Sequence, residues 1–515
     1  MMVTWWRGAL LSAAILTAAT TTPEARARRE IRGGEALARA YDYILEARFD
    51  QVDAQLRRAC GPAPPEACDV LSATALWWRI LLDPESRELD AEFSATVDHA
   101  IRTTEAWAKR SPDDAEPWFY LGGAYAARVQ WRVLRNQKLA AALDGKKIKR
   151  ALERAIALDP NLDDAYFGLG MYKYYADVAP AAAKILRFLL LLPGGDRREG
   201  LDQMLRARSR GRLLQGEADY QLHIVYLWYE RQTSRALQLL RSLHDRYPAN
   251  PLFQAQIAEI QDAYEHDVTA SLATWRSLLA AAREQRANAP LLSQVQARLG
   301  IARQLEALYQ TDDAIDTLQA VIALRPVAPY ASLPLAYLRL GEAYDRMGER
   351  VAALDAYRAA SAGALTPDPY NVRAQAAERL RRAPNPKHAA AYRLSLDGWR
   401  YLEHGDLPAA AAALERSIAL NGADPVARYR FGRMEQARKE DTAALAQFEH
   451  AIRGARTCPA PILGAAYLEA ARLYERRGER DRALGYYHTV SSLFGAAADT
   501  RAAATRAITR IGARR

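Results

Sequence analysis

Cysteine is scarce in this chain of 515 residues, which contains Cys60, Cys68 and Cys458 and no others. Cys60 and Cys68 flank the proline-rich turn GPAPPEA, and no second Cys or His pair stands near them at zinc-ligand spacing. In an exported protein we expect these two residues to form a disulfide, whereas in a cytosolic protein they would be free thiols. Cys458 has no such neighbour, and we expect it to be unpaired.

β-Branched runs with an alternating apolar and polar pattern are nearly absent, which argues against a sheet protein. Half of the residues are hydrophobic and about a quarter are charged, a balance typical of a folded chain rather than a disordered one. Alanine and arginine are abundant, and both favour helices. The sequence therefore predicts an all-α fold.

Motifs of the common enzyme classes are also missing. None of the eight histidines forms a zinc-protease pair, no G-x-S-x-G occurs, and the glycines at 195–200 are not followed by the Lys and Ser or Thr of a phosphate loop. We therefore expect no cofactor, no metal and no catalytic residue. A dispersed Ser, His and Asp site would leave no such motif, so an enzyme or enzyme subunit with its site in the irregular 126–212 region is the alternative.

Long hydrophobic runs are rare, and the first lies at the N-terminus. An apolar run of about a dozen residues follows Arg7, too short to span a bilayer and of the length of a secretory signal core. We predict a signal peptide over 1–27, cleaved after Ala19 or Ala27, and hence a periplasmic or secreted protein. Four arginines after the run resist translocation, so an uncleaved membrane anchor is the alternative.

The second apolar run covers 179–192. It would lie near a membrane or a partner if exposed, but large exposed apolar patches are uncommon, so a helix buried within the fold is favoured.

A repeated helical pattern is clearest between Tyr337 and Ala360. One apolar face recurs at i, i+3, i+4 and i+7, a turn glycine follows, and a second stripe comes after it. The positions are Tyr337, Leu340, Gly341, Tyr344, Gly348, Ala353, Tyr357 and Ala360. Small residues at Gly341 and Ala353 would let two short helices approach closely. This pattern resembles the tetratricopeptide repeat (TPR), which implies a right-handed α-solenoid of antiparallel helix pairs.

The resemblance divides the chain as follows. Divergent helix pairs occupy 28–112, a TPR array with inserts at 126–150 and 179–195 occupies 113–365, a proline-bracketed connector helix lies in 366–387, and a second TPR array with a capping helix occupies 388–515. Trp118 opens the first clear repeat, and we expect it to fill a large core site. The insert at 126–150 either lengthens two helices or forms a protruding loop.

The resemblance implies a binding function, in a groove lined by the first helices of successive repeats. The positions facing a ligand would be Phe119, Phe167, Met171, Glu342, Trp399, Tyr429, Arg433 and Arg472. Apolar anchors with arginines suit a peptide or a partner helix. The alternative is that the aromatic rings only pack against neighbouring helices. The net charge of +10 is mild for this length and no base-reading pair recurs per repeat, so no nucleic acid is expected.

Overall fold

The computed structural model describes residues 30–179, 194–363 and 365–513, and within these ranges every regular element is a helix and none is a strand. The predicted signal peptide and nearly all of the apolar run at 179–192 lie outside the described residues. In the described ranges no helix combines the length and apolarity that crossing a bilayer requires.

The helices, labelled in chain order, are α1 (Gly34–Leu45), α2 (Phe49–Ala59), α3 (Pro65–Leu82), α4 (Asp90–Arg110), α5 (Ala115–Leu134), α6 (Lys138–Leu158), α7 (Ala165–Val178), α8 (Arg197–Arg210), α9 (Gln215–Ile224), α10 (Thr233–Arg246), α11 (Pro251–Ala263), α12 (Val268–Arg283), α13 (Pro290–Ala307), α14 (Thr311–Ala323), α15 (Ser332–Met347), α16 (Arg350–Ser361), α17 (Val372–Arg381), α18 (Pro386–Glu403), α19 (Leu407–Leu420), α20 (Pro425–Ala437), α21 (Asp441–Arg453), α22 (Ala460–Arg476), α23 (Arg480–Ser492) and α24 (Ala498–Gly512). A π-helical turn, Val225–Tyr229, extends α9.

Successive helices pack as antiparallel pairs around a recurring glycine contact. A Cβ atom added at Gly341 on α15 would lie 2.5 Å from the ring of Tyr357 on α16, so only glycine allows this approach. The same contact recurs between Gly398 and Leu414 and between Gly432 and Phe448. In every case the two residues are 16 positions apart. The recurrence confirms the predicted all-α solenoid of TPR-like helix pairs.

The turn inside each pair also recurs, with one residue in the left-handed conformation. Gly348 has φ 80° in the α15–α16 turn, as the TPR pattern predicts. The same conformation occurs without glycine in other pairs, at Asn136, Arg231, His266, Tyr309 and Lys439. The repeats that looked degenerate in sequence therefore keep the same backbone turn.

The insert at 126–150 lengthens two helices and does not form a loop. The first pair places Gly122 on α5 against Leu152 on α6, so the residues in contact are 30 positions apart instead of 16. The extra residues extend both helices by about two turns, or ~10 Å at 1.5 Å per residue. The α5–α6 hairpin is therefore longer than the repeat pairs that follow it.

The N-terminal helices pack onto the array instead of only preceding it. The Tyr41 hydroxyl on α1 donates to the Glu217 carboxylate on α9 (2.9 Å), and the Asn250 amide donates to the Leu45 carbonyl (2.7 Å). The apolar side chains of α1–α4 share one hydrophobic core with those of α5–α11. The divergent pairs thus cover one side of the first half of the array.

The proline-bracketed helix α17 does not interrupt the packing. Met347 at the end of α15 contacts Tyr392 and Leu396 on α18, so the helices before and after α17 are direct neighbours. At the C-terminus, α24 buries Ala504, Ala507 and Ile511 against the last pair.

One core assignment from the sequence is wrong. Trp118 is only partly buried, because its indole lies at the start of α5 and donates to the Pro112 carbonyl at the surface (3.0 Å). Among the described tryptophans, the fully buried ones are Trp78 and Trp275.

Candidate functional site

Two of the predicted partner-binding residues line one cavity of about 470 Å³, here called the C-terminal cavity. Trp399 on α18 and Tyr429 on α20 stack with ring centroids 6.3 Å apart and planes inclined by 29°. They come from the first helices of successive pairs, which places their side chains on the same side of the array. The Tyr429 ring also packs against the Phe448 ring, with centroids 6.0 Å apart.

The opposite wall of this cavity comes from distant parts of the chain. Thr269 and Ala270 at the start of α12, Leu308 after α13, and Ile462 on α22 complete its lining. The start of α24 contributes residues 497–500. The cavity therefore lies between the first helices of the C-terminal pairs and the middle of the chain.

Two contacts hold this closure, in which Phe494 after α23 and Arg501 on α24 meet the α11–α12 turn. The rings of His266 and Phe494 meet edge to face with centroids 4.9 Å apart. The guanidinium of Arg501 lies 3.7 Å from the Asp267 carboxylate. The C-terminal end of the array is thereby held against its middle, and the cavity is bounded on two sides.

A buried cation lies in the wall of the C-terminal cavity. Arg430 donates to the Tyr309 carbonyl (2.7 Å) and to the Ser395 hydroxyl (3.0 Å). Within the described ranges no carboxylate pairs with it, and burial lowers the pKa of its guanidinium. A cation without a direct ion-pair partner beside an aromatic wall favours a partner that brings carbonyl or carboxylate oxygens.

Two further predicted residues extend the same surface. Arg433 on α20 donates to the Tyr429 hydroxyl (3.3 Å), and Arg472 on α22 donates to Glu469 (2.6 Å). Glu469 also accepts from Gln436 on α20 (2.8 Å). Arg433 therefore lies beside Tyr429, and Trp399, Tyr429, Arg433 and Arg472 all lie on the first helices α18, α20 and α22.

Glu342 lies elsewhere, in a central cavity of about 480 Å³ that is lined by charged side chains. It accepts from Arg339 on its own helix (2.7 Å) and from Arg379 on α17 (3.2 Å). Arg346 pairs with Glu306 in the same cavity (3.1 Å), and burial raises the pKa of Glu306. Glu342 therefore belongs to an ion-pair network rather than to the aromatic cavity.

Phe119, Phe167 and Met171 line a third, small cavity of about 80 Å³ in the N-terminal half. Both phenylalanines are buried, because α1 and α3 cover them. The space that remains is much smaller than the 300–1,000 Å³ typical of ligand pockets. These three residues are thus not brought together with Trp399 and Tyr429, and their role in binding stays a prediction.

A buried acid closes this small cavity. The Glu217 carboxylate accepts hydrogen bonds from the Tyr41 hydroxyl and the Trp78 indole, both 2.9 Å, and from the Gln221 amide (3.2 Å). Burial raises the pKa of Glu217, and no cation pairs with it within the described part of the chain. The cluster joins α1, α3 and α9 and was not predicted, since nothing in the local sequence pattern marks it.

The cysteines contribute one cross-link and one buried thiol. Cys60 and Cys68 are joined by a disulfide, with their Cα atoms 6.1 Å apart. Cys458 is free and buried, and burial raises the pKa of its thiol to about 12. Residues 30–179, 194–363 and 365–513 contain no group of three or more His, Cys, Asp or Glu side chains arranged to hold a metal ion.

Sequence reasoning missed most residues that complete the C-terminal cavity. Arg430 follows Tyr429 directly but is not among the positions that the repeat pattern predicts to face a ligand. Ile462 lies at the start of α22, a position the repeat pattern leaves unspecified. Thr269 and Leu308 reach the cavity only through the closure of the array, for which the sequence carries no local signal.

Comparison with known proteins gives structural likenesses alone. No protein-family model and no curated protein matches the sequence. Among solved structures, a Rap protein complexed with competence and sporulation factor is 11% identical with a TM-score of 0.33, covering 90% of this chain and 97% of its own. The Cut9–Hcn1 hetero-tetramer of APC/C is 13% identical with a TM-score of 0.25, covering 84% and 92%.

A TPR protein from Parabacteroides merdae is 12% identical with a TM-score of 0.25, covering 56% of this chain and 98% of its own. All of these TM-scores are below 0.5, so the assignment of a TPR-like fold rests on the glycine contacts and turns of the chain itself.

Proposed function

We propose that this chain is a non-catalytic scaffold that binds a peptide or a partner helix on the inner surface of its C-terminal half. The observation that carries the proposal is the stacked pair Trp399 and Tyr429 in the wall of a 470 Å³ cavity. Aromatic anchors of this kind, with arginine beside them, are the residues that most often dominate the free energy of protein binding. The cavity volume suits one or two large apolar side chains of a partner.

The polar side chains near the cavity support recognition of a peptide backbone. Arg430 forms no ion pair with a carboxylate in the described ranges, and Arg433 and Arg472 lie on the neighbouring first helices α20 and α22. Together they favour a partner that presents apolar side chains next to carbonyl or carboxylate groups.

The alternative of an enzyme site at 126–212 has less support. The acidic groups of that region that sequence reasoning could assign to catalysis are engaged in structural contacts. Asp144 binds Arg128 (2.7 Å) and Arg132, Asp163 binds Arg206 (2.7 Å), and Asp164 accepts the backbone N–H of Leu214 (2.8 Å). We therefore favour a binding role.

Site-directed photo-crosslinking tests the binding surface in cells. The photoreactive residue p-benzoylphenylalanine would replace Trp399 in one variant and Tyr401 in another, both in the full chain. Tyr401 is two residues away on α18 and 44% exposed, so it reports the outer surface of the same helix. We expect a discrete crosslinked polypeptide from position 399 and not from 401. Equal patterns, or a crosslink from 401 alone, would contradict the proposed surface.

We also propose that the chain is exported and that its signal peptide, within residues 1–27, is cleaved after Ala19 or Ala27. The Cys60–Cys68 disulfide supports this, because disulfides persist in oxidising compartments. Mass spectrometry of the chain isolated from its native cells would show a mature N-terminus after Ala19 or Ala27. A chain that keeps its first residues and stays in the cytosol would overturn the proposal.

A further inference from the structure

The lengthened α5–α6 hairpin carries exposed apolar side chains at its end. Val133 at the end of α5 is 59% exposed, and Leu139 and Leu143 on α6 are 53% and 48% exposed. All three lie within the extra turns that other helix pairs lack. Leu139 and Leu143 are four residues apart and therefore project from one face of α6.

Basic residues surround these apolar side chains. The segment 126–150 contains eight Lys or Arg residues and a single acidic residue, Asp144. Asp144 is buried inside the hairpin, where it binds Arg128 and Arg132, so it contributes no exposed negative charge. Lys138 and Arg150 are exposed and form no ion pair in the described ranges.

Two acidic residues that bind the hairpin lie on its α4 side. Asp90 and Asp98 on α4 bind Arg135 (2.8 Å) and Arg128 (2.6 Å), which are both on α5. Because α5 lies between α4 and α6, the exposed face of α6 is turned away from these carboxylates. The surface that carries Leu139, Leu143 and Arg150 is therefore apolar and positive.

An exposed tryptophan lies at the same edge of the array. Gln221 on α9 donates to Gln130 on α5 (2.6 Å), and Glu217 lines the same small cavity as Ala127, so the two helices run in parallel. Their C-terminal ends therefore lie at one edge. There Trp228 is 60% exposed, and Arg231 and Arg235 follow it.

We propose that this edge, formed by Val133, Lys138, Leu139, Leu143, Arg150 and Trp228, docks on the surface of an anionic phospholipid bilayer. Apolar and tryptophan side chains would enter the interface, and the cations would contact the phosphate groups. Exposed leucines flanked by the unpaired cations Lys138 and Arg150 suit an anionic bilayer, which offers hydrocarbon and phosphate groups side by side. The charge pattern selects anionic over neutral lipid.

Vesicle co-sedimentation with the full chain tests this proposal. One set of vesicles contains phosphatidylglycerol and phosphatidylcholine in a 1:3 ratio, and the other contains phosphatidylcholine alone. We expect binding to the anionic vesicles only, weakened by salt. The double variant Lys138→Glu and Arg150→Glu should lower the partition coefficient by about fivefold or more for each charge. The double variant Leu139→Ser and Leu143→Ser should lower it by about tenfold or more.

The matched control removes exposed apolar side chains elsewhere, by Leu324→Ser and Val351→Ser on α14–α16, and should leave vesicle binding unchanged. Equal binding by all variants, or no binding by the native chain, would overturn the proposal. A lower melting temperature of the Leu139 and Leu143 variant with unchanged vesicle binding would also overturn it, because it would show that the chain itself covers these residues.

Discussion

The indole N–H of Trp78 on α3 donates to the buried Glu217 carboxylate on α9 at 2.9 Å, although the two residues are 139 positions apart in sequence. The contact fixes the divergent N-terminal helices on the first half of the array. Trp78 is fully buried, with Tyr220 and Phe253 rings beside it at 4.8 and 6.0 Å.

The substitution Trp78→Ala should therefore lower the free energy of unfolding by about 3–5 kcal/mol, because it leaves a large cavity and removes a donor from Glu217. Urea unfolding followed by circular dichroism measures this. Trp228→Ala is the matched control, since Trp228 is mostly exposed and its loss should change the free energy by less than about 0.5 kcal/mol. Equal effects of the two substitutions would contradict the packing of α3 on α9.

The repeat contact can be tested with two glycines. In Gly341→Ala the new Cβ would lie 2.5 Å from the Tyr357 ring, so overpacking should cost about 1–3 kcal/mol. In Gly485→Ala, on α23, no heavy atom lies within 4 Å, so the higher helix propensity of alanine should stabilise by about 0.5–1 kcal/mol. Thermal melting of both variants distinguishes them, and a shared sign of the two changes would count against the TPR-like pairing.

A buried histidine should make stability depend on pH. Burial lowers the pKa of His223 to about 3, below its usual value of about 6.5. As the pH falls below 6.5, the unfolded chain binds a proton that the folded chain does not bind until about pH 3. His223 therefore contributes a loss of stability between these values, at about 1.4 kcal/mol per pH unit.

The variant His223→Gln should remove this contribution and flatten the decline of the urea midpoint between pH 6.5 and 4.5. Glu217 changes stability with the opposite sign. Burial raises its pKa, so its contribution to stability is present at low pH and is lost as the pH rises through the raised pKa. An unchanged pH profile in His223→Gln would show that the histidine is protonated in the folded chain or accessible to water.

The disulfide should stabilise the turn between α2 and α3. It closes a loop of about ten residues, for which chain entropy gives about 2–3 kcal/mol. Dithiothreitol should lower the melting temperature of the native chain but not that of a Cys60→Ser and Cys68→Ser variant. Cys458 is buried and free, so its replacement by Ala should not alter the response to the reductant.

Local features of the fold were predictable from the sequence because they depend on neighbouring residues. Gly341 and Tyr357 are 16 positions apart, and this spacing marks both helices and the turn between them. The same pattern located Trp399 and Tyr429 on neighbouring first helices, and these two residues do line one cavity.

The closures of the array could not be predicted in this way. The covering of Phe119 and Phe167 by α1 and α3 depends on contacts such as Tyr41 with Glu217, which are 176 positions apart. The far wall of the C-terminal cavity depends on Arg501 and Asp267, which share no repeat position. Such contacts follow from the curvature of the whole array, and one sequence carries no periodic signal for them.

The proposed binding surface is tested most directly by affinity capture from native cells with the full chain and two variants. Trp399→Ala removes one of the stacked rings, and Tyr401→Ala removes an exposed ring on the same helix. We expect the polypeptide crosslinked at position 399 to be captured by the native chain and by Tyr401→Ala, and to be lost at least tenfold with Trp399→Ala at unchanged melting temperature. Capture that is equal for all three chains would contradict binding in the C-terminal cavity.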